Sequence, residues 1–244
     1  MFAALHEIEY IMPTIVCGFP SKPFIMITGK YPVGEYLNEK NIPDDIDIIR
    51  MPVPKNSRAG VLCLSEHVAK VDLYLPPNAV NQTILERALL ATTIKTLQIQ
   101  NLDVSIKNND ILIKSGNKLK KFFGMYKCSL ANNWDFYTTN VSFRLDYNLM
   151  NNIYKLDEKK IQKGGKVNDM RDIVVGVDEF KSGIDREQFI DDYVSNLAKR
   201  FNWELEEGIF TDDEIKRIDD MIPILSSNSW VYNSKHYNSK VRQW

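Results

Sequence analysis

Cysteine is scarce in this chain of 244 residues. Cys17, Cys63 and Cys128 are too few and too scattered for a disulfide framework or a zinc site, which points to a reducing compartment. Long hydrophobic runs are also missing, and none approaches the roughly 18 residues that a membrane span needs. The amino end, Met1 to Glu7, has neither the charged start nor the apolar centre of a signal peptide, so a cytoplasmic location is expected. An excess of either charge is absent as well: 31 basic and 32 acidic side chains leave a formal net charge of -1. That balance gives no overall pull toward nucleic acid or an anionic membrane, so any nucleotide must be held by a local arrangement. There is no internal repeat and no low-complexity stretch. What remains is ordinary globular composition, 44% hydrophobic and 26% charged, enough for one large domain over residues 1–244 with a helical portion from about 183 onward.

The hydrophobic pattern alternates between strand and helix signals. A short helix fits residues 2–12, ended by Pro13. Phe24 to Thr28 is a continuous apolar run between Pro23 and Gly29 and reads as a buried strand. Tyr36 to Lys40 reads as one or two helical turns. Ile46 to Met51 is a second strand, followed by an irregular loop from Pro52 to Gly60 that holds Lys55 and Arg58. Val61 to Leu64 and Val71 to Leu75 are further strands, joined by a link containing His67 and Lys70. Residues 81–97 form a helix with Ile84, Leu85, Ala88, Leu89 and Ala91 along one stripe. Val104 to Ile106 alternates as a half-buried strand. Trp134 to Leu145 reads as a strand pair, Asp146 as the cap of a helix over 147–155, and Ile173 to Val177 as a last strand. Asp185 with Gln188 and Thr211 with Glu214 announce two more helices, the second ended by Pro223; the tail from Asn228 has no sustained period. The class is α+β, with several neighbouring antiparallel pairs and no regular βαβ alternation.

One stretch stands apart. Asn109-Asp110 leads into the β-prone Ile111 to Ile113, a Ser115-Gly116-Asn117 turn, and then Lys118, Lys120 and Lys121 ahead of Phe122-Phe123-Gly124. Lysines at a hairpin end are either a solvated edge that discourages strand pairing or ammonium groups held rigidly against a phosphate or carbonyl.

The order of segments resembles the lipoate–protein ligase A family of the biotin/lipoate ligase superfamily. Ile48-Ile49-Arg50 and the loop to Gly60 stand where that family has a strand-borne arginine and a glycine-rich loop. Asn109-Asp110-Ile111-Leu112-Ile113, Gly116 and Lys121-Phe122-Phe123-Gly124 match its Asn-Asp, strand, turn and lysine three residues before a glycine. Asp146-Tyr147-Asn148-Leu149-Met150, the lysine-rich Glu158 to Ile161, Arg171-Asp172-Ile173-Val174 and Trp230-Val231-Tyr232 keep the family's order over roughly residues 2–237. The family's Arg-Arg-x-Ser-Gly-Gly-Gly loop is represented only by Arg58 and Gly60. A histidine that normally follows the hairpin is replaced by Tyr137-Thr138-Thr139.

The resemblance implies a catalytic domain with mixed, largely antiparallel sheets flanked by helices. It also implies a two-step reaction: ATP, with Mg²⁺, activates lipoate or a related medium-chain acyl group as its adenylate, and a lysine of a lipoyl-acceptor domain takes the acyl group. An accessory ligase subunit is a further implied partner; nucleic acid and membrane are not. Lys121 would hold the carbonyl and phosphate oxygens, with Lys118 competing for that place. Arg58, Gly60, Asn109 and Asp110 would lie at the nucleotide, and Arg50 would support the loop. Val61, Leu73, Phe123 and Gly124 would contact the acyl chain. Two other outcomes fit the same resemblance: an ATP-independent octanoyl or lipoyl transferase using a cysteine thioester, with Cys128 as candidate, and a non-catalytic relative that binds an acyl ligand or a protein.

Overall fold

The computed structural model describes residues 13–28, 33–51, 60–107, 110–129, 134–155 and 169–232; the side chains of Lys118, Phe123, Cys128 and Ser129 lie outside the description. The expected helix at 2–12, the loop with Arg58, Asn109, the basic loop at 159–166 and the tail past 232 also lie outside it. Among the described residues nine strands build two sheets. They are β1 (Thr14–Gly18), β2 (Phe24–Thr28), β3 (Asp47–Arg50), β4 (Gly60–Leu64), β5 (Val68–Leu75), β6 (Val104–Lys107), β7 (Asp110–Ser115), β8 (Lys118–Ser129) and β9 (Asp135–Ser142). The larger sheet runs β1-β5-β9-β8-β7-β6 and is antiparallel throughout. The smaller runs β3-β2-β4, and its β2–β3 pair is the one parallel contact among the described strands. The helices are α1 (Gln82–Ile99), α2 (Tyr147–Ile153), α3 (Arg186–Phe201), α4 (Asp212–Leu225) and α5 (Asn228–Tyr232).

The centre of the molecule is β5, all eight of whose residues are buried. Successive side chains on a strand point to opposite faces, so a fully buried strand must satisfy two different neighbours. Ala69, Val71, Leu73 and Leu75 pack outward with Leu85, Leu89, Leu90 and Leu97 of α1 and Phe189, Tyr193 and Leu197 of α3. Val68 and Tyr74 pack inward with Met26, Leu64 and Phe136, in a core that takes in Leu225 and Trp230. The small sheet is covered on its other face too, where Ile25 and Ile27 meet Leu37, Ile153 and Val231.

Several local details depart from the sequence expectation. In α1 the buried side is Leu85, Ala88, Leu89, Thr92, Thr93, Thr96 and Leu97, whereas Ile84 is 59% exposed. The buried hydroxyls of Thr93 and Thr96 donate to Leu89 and Thr92 carbonyls, which lets β-branched polar residues sit inside the helix. Trp134 to Leu145 forms one strand rather than a pair, because its partners β5 and β8 come from elsewhere in the chain. Residues 173–177 are not a ladder strand: Val174 makes a single parallel bridge to Lys121, between 3-10 turns at 170–172 and 177–179. The helical signal at Tyr36 to Lys40 becomes two 3-10 turns, at 33–35 and 39–41. The helix after Asp146 stops at Ile153. Pro223 lies inside α4, which continues to Leu225 because that residue is fully buried in the inter-sheet core.

The carboxyl-terminal end is tied to the small sheet by a reciprocal pair. Arg50, with no exposed surface, donates from Nε to the Val231 carbonyl at 2.8 Å, and Trp230 Nε1 donates to the Arg50 carbonyl at 2.9 Å. Buried backbone carbonyls need partners, so losing the indole N–H should be felt. Trp230→Phe should lower stability by about 1–3 kcal/mol, a drop in Tm of several degrees by thermal unfolding; an unchanged Tm would show that this contact contributes nothing.

Candidate active site

The hairpin of β7 and β8 contains one irregularity that sets the site. Leu112 pairs with Lys121 but Ile111 pairs with Phe123, so Phe122 is an extra residue in β8. On a regular strand, residues three apart face opposite sides; one bulged residue between them returns both to the same side. Lys121 and Gly124 therefore share the inner face, while Phe122 packs outward with Ile111 and Val141. The bulge thus brings the lysine and the glycine three residues later onto one face.

Register then lines up a row across the sheet. Lys107 pairs with Asp110, Gly124 with Asn140, Asn140 with Lys70, and Lys70 with Gly18. The ladder's last pair is Ile111–Phe123, with Asp110 just before the one and Gly124 just after the other. Lys121 makes an ion pair with Asp110, both side chains about two-fifths exposed, which brings the ammonium over toward the Gly124 position. A methyl group added at Gly124 would meet no described heavy atom within 4 Å, so the row has a gap there.

On the far side of the gap the inner face turns polar and dry. Lys70 and Asp72 are both fully buried and paired to each other at i and i+2 of β5. Burial pushes the Lys70 ammonium down and the Asp72 carboxyl up in pKa, each shift opposed by the partner's charge. Thr138 lies opposite Asp72, and the Asn140 side chain is 6% exposed with an Oδ1 that finds no partner among the described residues. The sequence reading placed Lys70 in a link before the strand. The signal for its true place was the period-two pattern Val68-Ala69-Lys70-Val71-Asp72-Leu73, which puts both charges on one face.

The segment 169–177 supports the end of β8. The Lys121 N–H donates to the Ile173 carbonyl and the Val175 N–H to the Lys121 carbonyl, both at 2.9 Å. Gly176 approaches the end of β9 so closely that a Cβ would lie 2.5 Å from the Phe143 carbonyl oxygen, which excludes any side chain. Beside this segment is a cleft of about 420 Å³ lined by Cys63, His67, Arg144, Asp146, Tyr147 and Arg171 among others; Lys121 does not line it. His67 is engaged structurally, its Nδ1 accepting from Arg186 Nη1 at 2.8 Å.

Of the residues expected from sequence, Lys121, Asp110 and Gly124 are brought together. Gly60 and Val61 open β4 in the other sheet. Val61 packs on the outer face of the small sheet and Leu73 against the helices, so the two are on different faces and share no slot. On β4 it is Leu62, one residue along, that turns into the space between the sheets. Arg50 is a buried tie to α5. Arg58 and Asn109, and the side chains of Lys118 and Phe123, lie outside the described residues.

No family model matches the sequence, and no curated relative is found by sequence comparison. Solved structures give a clear likeness. A bipartite lipoate protein ligase from Thermoplasma acidophilum, described with its E2 lipoyl domain, is 16% identical over 96% of this chain and 89% of its own, with a TM-score of 0.74. A lipoate-protein ligase A bound with ATP is 14% identical over 96% and 91%, TM-score 0.72. The lipoate complex of LipL1 from P. falciparum is 15% identical over 93% of this chain and 63% of its own, TM-score 0.62. With its two sheets, flanking helices and bulged lysine hairpin, this chain carries the α+β fold of the lipoate–protein ligases.

Proposed function

We propose that the chain is a lipoate–protein ligase-like acyltransferase. It activates lipoate or octanoate with ATP as the acyl-adenylate and passes the acyl group to a lysine of an acceptor domain. The observation that carries this reading is the Lys121 ammonium, held on the inner face beside Asp110 and next to the empty Gly124 position. In the first step a carboxylate oxygen of the acid attacks the α-phosphorus and pyrophosphate leaves. In the second an amine attacks the acyl carbon and AMP leaves. Negative charge grows on phosphate and carbonyl oxygens in both, so a positioned ammonium stabilises each transition state more than its ground state. Gly124 leaves the backbone open to the reacting carbonyl. Arg58, Gly60, Asn109 and Lys118 are assigned to the nucleotide phosphates.

Asp110 is the described carboxylate beside Lys121, and it would hold Mg²⁺ jointly with the phosphates, the usual way this ion is bound. When bound, the ion would supply charge neutralisation at the phosphates. An accessory subunit and a cytoplasmic setting belong to the same reading.

Titration calorimetry with ATP, lipoate and a non-hydrolysable lipoyl-adenylate mimic tests the assignment. The mimic should bind wild type tightly, and Lys121→Ala should weaken it at least tenfold and lower the turnover of activation by roughly a hundredfold or more. No heat from any of the three ligands would rule out adenylation. Gly124→Val has room to fold and should block the acid while leaving the melting temperature within about a degree. A transfer through a thioester would need a thiolate. Burial, and then the Asp146 charge, push the Cys63 thiol up to about 11. Alkylation of native Cys63 should therefore be slow at neutral pH and rise about tenfold per pH unit toward 11; fast labelling of Cys63 at pH 7 would show a reactive thiolate at that position.

A further inference from the structure

Lys121 stands at a boundary on the inner face of the large sheet. Toward β9 and β5 that face is covered, with Asn140 6% exposed and Lys70 fully buried. Toward β7 and β6 it is open. Ser105, Leu112 and Lys121 pair in one row across β6, β7 and β8, with the Lys114–Leu119 pair on one flank and the Lys107–Asp110 pair on the other. Ser105, Lys107 and Lys114 are exposed, and Leu119 is 52% exposed. The opposite face of the same strands is the reverse case, with Val104, Ile111 and Ile113 buried in a core. Leu112 and Leu119, by contrast, join none of the apolar clusters among the described residues. Two leucines rimmed by lysines on an open sheet face have the make-up of a small protein contact, apolar at the centre and polar at the edge. The charge there is one-sided. Residues 107–121 carry five lysines and one aspartate in a chain of net charge -1, and that aspartate is already paired with Lys121.

We propose that this open face of β6, β7 and β8 docks the acceptor domain, and that the acceptor carries acidic side chains around its target lysine. The proposal rests on the acyl-transfer reading of the Lys121 site. The acid takes the covered side of Lys121. The acceptor lysine comes from the open side, over β7, one strand spacing of about 4.8 Å from β8. Leu112 and Leu119 supply the apolar contact. Lys107 and Lys114 face the acidic rim, which speeds encounter and fixes orientation more than it adds affinity. Three short strands bury little area, as suits a partner that must leave after every turnover.

Two assays separate docking from activation. Exchange of pyrophosphate into ATP with lipoate needs no acceptor, whereas transfer to an apo E2 lipoyl domain does. Support is an unchanged exchange rate in Lys114→Glu/Leu119→Ser with a KM for the lipoyl domain raised about tenfold. Lys114→Arg should stay near wild type, and the wild-type KM should climb as salt rises from about 50 mM to about 500 mM. An unchanged KM in the double variant, with exchange intact, would overturn the docking face and leave activation in place; so would exchange without any transfer to the lipoyl domain. A wild type that sediments as a dimer, with the double variant a monomer, would assign the face to a second copy instead. No exchange in wild type would overturn both readings. If the double variant melts below wild type, Lys114→Glu alone decides.

Discussion

Period-two alternation on the central β5–β9 ladder is the constraint from which the rest follows. Because both faces of these strands are buried, each residue is committed to one of two environments, and the commitment alternates without exception along β5. The outward set is mainly aliphatic and aromatic, with Thr139 bonded to Tyr193, and meets two helices. The inward set combines an inter-sheet core with Lys70, Asp72, Thr138 and Asn140. A shift of one residue anywhere on this ladder would bury the polar set against α1 and α3, where it would find no partners. Register is therefore held by the energetics of both faces at once.

The bulge at Phe122 breaks that parity in the β7–β8 ladder, beside the lysine proposed above to carry the chemistry. It aims Lys121 and Gly124 to one side, pairs the ammonium with Asp110, and leaves the backbone of Lys121 free to bond residues 173 and 175 in place of a regular neighbour. Bulges recur beside functional sites because they re-aim a side chain without loosening the sheet. Here the same device also ends the β8–β9 ladder and gives the 169–177 segment its seat. Position and support of the lysine are consequently one structural fact.

The buried Lys70–Asp72 pair makes the inner face of β5 polar at its centre. A buried ion pair is a weak source of stability, since desolvating two charges offsets most of their attraction. Its presence at the heart of a sheet is better understood as setting the polarity of the face than as holding the fold together. The fold is held by the apolar clusters on the faces of both sheets and by the Arg50–Trp230 tie at the carboxyl-terminal end.

By itself the sequence determined the elements whose signals are local. The apolar run between Pro23 and Gly29 gave β2, the Asp146, Asp185 and Thr211 caps set the starts of α2, α3 and α4, and Asp110, the Gly116 turn and Lys121 marked the hairpin. It also supplied the order of segments that resembles the ligase family. Tertiary structure alone decided what depends on pairing between distant strands. It turned Ile173 to Val177 into a one-bridge prop, let α4 run through Pro223, and sent Val61 and Leu73 to faces away from the space between the sheets. It also placed Asn140 opposite Gly124. Such facts are illegible in one dimension because the face a side chain takes depends on register, and register is set by partners many residues away and by a single unpaired residue in the ladder.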